Sequence, residues 1–136
     1  MSETALPVDY PRDGPTLFAP STYWAATPEQ RATVCNGCGT AGWKGALVPD
    51  TIWGLSVREA CDIHDWMYEH GATESDRLDA DSAFLNNLIR LINHHGGWLA
   101  WARRRRALKC YEAVNCFGGP AYWDPKNAPE DMGCVA

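Results

Sequence analysis

Several features that define common protein classes are missing from this chain of 136 residues. No apolar run approaches the ~20 residues of a transmembrane helix. Basic residues are the minority, with 12 Lys and Arg against 17 Asp and Glu, and the resulting net charge of −5 argues against nucleic acid as a partner. The N-terminus shows neither the basic start nor the apolar core of a signal peptide, so we expect the cytoplasm or export by a non-classical route, as for a phage or bacterial effector. No window alternates as a strand would.

The residues that are present suggest one globular domain with an uneven charge distribution. Residues 50–81 carry nine acids against two arginines, whereas the segment from residue 97 onward carries six basic residues against four acids. This asymmetry predicts cation or proton chemistry in the middle of the chain and attraction of anions near its end. Six cysteines are many for so short a chain, and they favour disulfides or a metal site.

Helix signals divide the chain into three parts. We predict an extended, proline-rich arm over residues 1–30, a folded domain over 31–123 and a C-terminal coil over 124–136. A short helix near 27–34 has Thr27 as its cap, with Pro28 in its first turn and Gln30 completing a capping box. A glycine-rich loop follows over 35–55.

Three longer helices complete this interpretation. They are expected from a capping box of Ser56 and Glu59 to Gly71, from Ser75 or Asp76 to His94, and over about 98–115. The predicted class is therefore all-α, with short connections that make successive helices antiparallel.

Chemically active side chains are concentrated on the first long helix. Cys61, His64, Asp65 and Tyr68 fall at positions i, i+3, i+4 and i+7, which share one helix face. An ordinary core stripe would carry Leu or Ile there. Asp81 lies among the apolar positions of the next helix (Leu78, Phe84, Leu85, Leu88 and Ile92), and a buried carboxylate must be paired. In an antiparallel helix pair Asp81 can meet His64 and set its tautomer, whereas Asp76 and Asp79 are expected on the solvated side.

The segment 60–68, ACDIHDWMY, resembles the C-x-x-H-D-x-x-Y signature of phospholipase A2 enzymes. The similarity is to the small bacterial and fungal secreted branch, and more distantly to the phospholipase domain of parvovirus capsids. Three further segments are similar to that branch in the same order: Asn36-Gly37-Cys38 with residues 54–57, the A-D-x-x-F helix at 80–84, and the Y-x-A-V-x-x-F-G-x-x-A-Y ending at 111–122. Together they span about 35–122.

This resemblance implies a phospholipase A2-like fold, in which two long antiparallel helices carry the site and a third helix and a glycine-rich metal-binding loop complete it. It implies a calcium-dependent enzyme that hydrolyses the sn-2 acyl ester of glycerophospholipids at a membrane surface. The implied roles are general base for His64, orientation of the imidazole for Asp81, a hydrogen bond to that acid for Tyr68, and Ca²⁺ ligation for Asp65, Asn36 and Gly37. Asn36 stands where the branch has Asp, which implies modest Ca²⁺ affinity, and Cys38–Cys61 is the implied disulfide.

A zinc-binding structural or interaction domain is the alternative. Cys35, Cys38, Cys61 and His64 have the spacing of a Cys₃His site, although this interpretation leaves Asp65, Tyr68 and Asp81 without a role. The run Arg103–Arg106 has two interpretations as well. It is expected to be a solvated helix face for at least two of its members, or else to form, with Trp98 and Trp101, a face that docks on lipid phosphates.

Overall fold

The computed structural model describes residues 16–35 and 51–123, and within them helices predominate, as the predicted all-α class requires. The helices are α1 (Ser21–Ala25), α2 (Pro28–Ala32), α3 (Arg58–His70), α4 (Glu74–His95), α5 (Ala100–Phe117) and α6 (Gly119–Trp123). Strands β1 (Thr51–Ile52) and β2 (Leu55–Ser56) form a small antiparallel hairpin that the sequence pattern did not predict. The glycine-rich residues 36–50 and the predicted coil 124–136 lie outside the described residues, as do residues 1–15.

Helices α3 and α4 form the antiparallel pair that we expected, joined by three residues. Helix α4 begins with a capping box in which the Thr73 side chain accepts from the backbone N–H of Asp76 while Asp76 accepts from that of Thr73. This start lies slightly before the predicted one, and it buries Asp76, which we had placed on the solvated side. Helix α4 ends at Gly96, whose φ of 69° favours glycine.

The predicted capping box at the start of α3 is wrong. Ser56 belongs to β2, and Val57 at the N-cap position makes no side-chain capping bond. Glu59 is used elsewhere, because its carboxylate accepts a hydrogen bond of 2.9 Å from the Tyr23 hydroxyl of α1. A tertiary contact therefore replaces the local one that the spacing suggested.

The core lies between α3, α4 and α5. One apolar cluster joins all three helices and the hairpin through Ile52, Val57, Ala60, Cys61, Phe84, Leu88, Ile92, Ala107, Cys110 and Val114. A second cluster joins α3 to the N-terminal arm and α6. Leu78, which we predicted on the inner face of α4, is 44% exposed. The buried face of α4 includes Arg77 instead of Leu78.

The N-terminal arm is extended over residues 16–19 and then helical in α1 and α2, with the predicted capping box of Thr27 and Gln30 present in α2. Asn87 of α4 holds the extended part, since its amide accepts from the N–H of Phe18 at 2.7 Å and donates to the Phe18 carbonyl at 2.8 Å. Asn87 is fully buried, so these two bonds replace the water that its amide loses.

Candidate functional site

The site is centred on the contact between His64 of α3 and Asp81 of α4. The imidazole Nε2 lies 2.7 Å from Asp81 Oδ1, and neither side chain has exposed surface. Local helix geometry places His64 on the inner face of α3, and the short connection brings α4 back alongside it. With Nε2 bound to a carboxylate, the neutral ring carries its proton on Nε2, and Nδ1 is the nitrogen with the lone pair.

Tyr68, one helical turn after His64, contacts the same carboxylate oxygen. Its hydroxyl donates to Asp81 Oδ1 at 2.8 Å, and its ring lies 4.1 Å from the imidazole between centroids. Burial, and then the negative charge of Asp81, raise the pKa of Tyr68 well above its ordinary value. Tyr68 therefore remains a donor at all physiological pH, and Oδ1 accepts two hydrogen bonds.

Arg77 holds the second oxygen of Asp81, and the sequence interpretation assigned it no role. Its Nη1 lies 3.3 Å from Asp81 Oδ2 and donates to the Asn115 carbonyl of α5 at 3.2 Å. Its Nε and Nη2 donate to Glu74 Oε2 at 3.0 and 2.7 Å. Burial opposes its charge, but the contacts with Glu74 and the other groups around it outweigh burial and raise the pKa of Arg77. The i, i+4 spacing of Arg77 and Asp81 is the signal that could have identified this pair.

Aromatic packing supports this polar cluster on two sides. The Phe84 ring lies 4.9 Å from His64, and the Tyr122 ring of α6 meets Tyr68 edge to face at 5.0 Å. The Tyr122 hydroxyl donates to the Thr73 carbonyl at 2.7 Å. A Cβ on Gly71 would lie 2.6 Å from that hydroxyl, so glycine is required there for steric reasons. The C-terminal segment thus braces the donor to Asp81.

The predicted metal ligands are only partly within the described residues. Asp65 is on α3 directly after His64 and is half-buried, whereas Asn36 and Gly37 lie outside the described ranges. Over residues 16–35 and 51–123, no three His, Cys, Asp or Glu side chains form a group that could hold a metal ion. Calcium ligation by Asp65 with Asn36 and Gly37 therefore stays a prediction.

The cysteines within the described part of the chain differ in state. Cys61 and Cys116 are disulfide-bonded, whereas Cys110 is a buried free thiol. The Cys35 thiol donates to the Asp62 carbonyl at 3.1 Å, and burial raises the pKa of the Cys110 thiol. Cys38, the predicted partner of Cys61, lies outside the described residues, so that pairing also stays a prediction.

Comparison with known proteins identifies no relative: no family model, no curated protein and no solved structure matches the chain. None of the helices within 16–35 and 51–123 has the length and apolar character needed to cross a membrane.

Proposed function

We propose that this protein is a calcium-dependent phospholipase A2 that hydrolyses the sn-2 acyl ester of glycerophospholipids. The observation that carries the proposal is the buried contact of His64 Nε2 with Asp81 Oδ1 at 2.7 Å. That contact joins the two residues that the family resemblance assigns to the catalytic pair. Because the contact is made by Nε2, Nδ1 is the nitrogen that can act as the base. Tyr68, the third residue of the resemblance, contacts the same oxygen.

The proposed chemistry is attack of water on an ester carbonyl. His64 Nδ1 takes a proton from water as the water oxygen bonds to the carbonyl carbon of the sn-2 ester. The imidazolium that forms is stabilised by the carboxylate of Asp81, and Tyr68 holds that carboxylate in place. When the tetrahedral intermediate collapses, the bond to the glycerol oxygen breaks, and His64 returns the proton to that oxygen. The products are a fatty acid and a lysophospholipid.

Calcium ligation is the metal part of the proposal. Asp65 would hold the ion together with Asn36 and Gly37, a set of hard oxygen donors of the kind that Ca²⁺ prefers. When bound, Ca²⁺ would hold the substrate phosphate and polarise the ester carbonyl. Asp65 is partly exposed, whereas His64 beside it and Asp81 are buried. This difference suits the proposed roles, because a residue that binds a metal ion must be reachable from solvent, whereas a residue that only holds the imidazole need not be.

Burial of the pair has a consequence for turnover. His64 has no exposed surface, so an ester reaches Nδ1 only if the residues packed around the ring move. The same burial strengthens the Asp81–His64 interaction, because charges interact more strongly away from water.

The state of Cys61 favours an esterase over the zinc alternative. Cys61 is disulfide-bonded, and a sulfur in a disulfide is not a thiolate ligand. The Asp81 contact fits either function, because a zinc-bound imidazole also donates its second nitrogen to a carboxylate, so the disulfide at Cys61 is the observation that separates the two.

The test is fatty-acid release from phospholipid vesicles with Ca²⁺, with excess EGTA and with Zn²⁺. We expect release only with Ca²⁺, and loss of release in His64→Ala and Asp81→Asn. Asp79→Asn is the matched control, because Asp79 lies two residues before Asp81 on the same helix but is exposed. Full release in EGTA, or one tightly bound zinc per chain, would refute the proposal.

A further inference from the structure

An exposed aromatic and basic patch lies on the face of α5 that meets the hairpin. Trp53, Trp101 and Leu108 are 58%, 59% and 48% exposed, which is unusual for large apolar side chains lying together. They line one open depression of about 600 Å³ with Arg105, Arg106 and Lys109. We call these six residues the α5 patch. Trp98 is 81% exposed but lies in the turn before α5 and does not line the depression.

The conformation of Trp53 is costly, which suggests that its position serves a purpose. Trp53 has a φ of 46°, the only positive φ of a non-glycine residue among those described, and the turn continues through Gly54 at 83°. For a bulky side chain this is a strained backbone conformation. The turn thus holds an indole in solvent at the expense of stability.

Arg103 secures this arrangement, so it is not one of the arginines on the solvated face that we expected for at least two of the four. Its side chain is 6% exposed, and it donates to the carbonyls of Ile52 at 3.1 Å and of Trp53. The hairpin is thereby attached to α5, with Trp53 beside Trp101. Arg104 is exposed and donates to Asn93 at 3.0 Å, away from the patch. Only two of the four consecutive arginines therefore belong to it.

The charge of the patch identifies the kind of partner. Its three basic side chains are accompanied in the depression by one acid, Glu112, in an exposed pair with Lys109 at 3.7 Å. The chain as a whole carries −5, so this face is locally cationic on an acidic protein. Indole rings beside arginine and lysine match the boundary between lipid headgroups and acyl chains, where the rings are accommodated and the cations meet phosphates.

From this combination of aromatic exposure, backbone strain and local charge, we infer that the α5 patch docks the protein on anionic phospholipid bilayers. The choice of a bilayer as partner rests on the proposed function, and the inference identifies the surface that delivers the enzyme to it. The docking does not require His64 or Asp81, so binding and hydrolysis can be measured separately.

The test is partition of the full chain onto large vesicles of phosphatidylcholine alone or with phosphatidylglycerol, in EGTA so that lipid is not consumed. Arg105→Gln/Arg106→Gln should bind anionic vesicles roughly 30-fold more weakly, from about 1 kcal/mol, or fivefold, per charge. Arg58→Gln/Arg104→Gln removes two exposed charges elsewhere and should bind within about twofold of the unmodified protein. Trp53→Gly, which also relieves the positive φ, should weaken binding to both vesicle types and still give a cooperative thermal melt.

Equal losses in the patch and control variants would overturn the inference, as would equal binding to neutral and anionic vesicles. Preferred binding of a single-stranded oligonucleotide over anionic vesicles would overturn it in favour of nucleic acid. Loss of vesicle binding with hydrolysis of a monomeric short-chain ester retained supports the inference. Vesicle binding by a protein that hydrolyses no ester would refute the proposed function and leave the docking surface standing.

Discussion

Replacing Asp81 by asparagine tests the reasoning most directly, because Arg77 dictates how the new amide must lie. The guanidinium faces Oδ2 at 3.3 Å and can only donate, so the amide oxygen of the substituted side chain must occupy that side. The amide NH₂ then faces His64 Nε2 and the Tyr68 hydroxyl. His64 must accept at Nε2, which moves its proton to Nδ1, the nitrogen required as the base.

The expected loss of activity follows from this tautomer and from the missing charge. General base catalysis contributes about 10²–10⁴-fold, and the asparagine removes most of it. His64→Ala should be at least as slow. The double variant should be little slower than His64→Ala, since residues that act as one unit lose their function together.

The same geometry predicts a coupling in stability between Arg77 and Asp81. Arg77→Met leaves a fully buried carboxylate without its cation, and breaking a buried ion pair in this way costs about 3–5 kcal/mol. The double variant Arg77→Met/Asp81→Asn no longer has that carboxylate. The loss of the Arg77 contacts with Glu74 and Asn115 is the same in Arg77→Met and in the double variant. The double variant should therefore be more stable than the sum of the single effects by about 0.5–3 kcal/mol.

Two assays check these expectations on the same set of proteins. Hydrolysis of a monomeric short-chain phospholipid measures the catalytic loss without vesicle binding, and urea unfolding measures the free energies of the double-mutant cycle. Asp79→Asn controls for loss of one acid from α4. Near-normal hydrolysis by Asp81→Asn would refute the catalytic pair, and additive unfolding energies would refute the buried ion pair.

Three further predictions concern other parts of the molecule. Hydrolysis should saturate only at roughly millimolar Ca²⁺, which is the weak end of protein calcium sites, because Asp65 is the only carboxylate among the proposed ligands. Saturation at micromolar Ca²⁺ would contradict this. Arg103→Ala should lower the free energy of unfolding by about 1–3 kcal/mol through the hairpin carbonyls that lose their donor, while Arg104→Ala changes it by less than about 0.5 kcal/mol. Burial, then Asp76 and Glu74, raise the pKa of Tyr122 to about 12. The neutral phenol is thus favoured in the folded state, so its contribution to stability is full below pH ~10 and is lost as the pH rises toward 12. Between pH ~10 and ~12, the free energy of unfolding should therefore fall less steeply with pH in Tyr122→Phe than in the unmodified protein.

The predictions that succeeded depend on residues close together in the chain. The capping box of Thr27 and Gln30, the end of α4 at Gly96 and the common face of His64 and Tyr68 follow from helical spacing. The prediction that Asp81 meets His64 also rested on the short connection, because three residues between the helices keep α4 close to α3. The sequence alone could predict these features because the residues that interact are separated by only a few residues or by one tight turn.

The predictions that failed depend on distant partners. Ser56 pairs in the hairpin rather than capping α3, and Glu59 bonds to Tyr23, which lies 36 residues earlier. Leu78 is exposed because the inner face of α4 turns Arg77 toward Asp81 and α5. Arg103 was grouped with its three basic neighbours, although a helix rotates each by 100° and only one of them points into the interior.

The amino-acid sequence by itself determined that the chain is mainly helical, and it placed the reactive side chains of α3 on one helix face, because both depend on local periodicity and capping. Only the tertiary structure determined which groups from other parts of the chain contact the site and the hairpin. Arg77 reaches Asp81 from the preceding helical turn, Tyr122 braces Tyr68 from the end of the described chain, and Arg103 holds the Trp53 turn against α5. These contacts arise when helices and a hairpin bury their polar groups against one another, and each donor must then find an acceptor that sequence spacing does not specify.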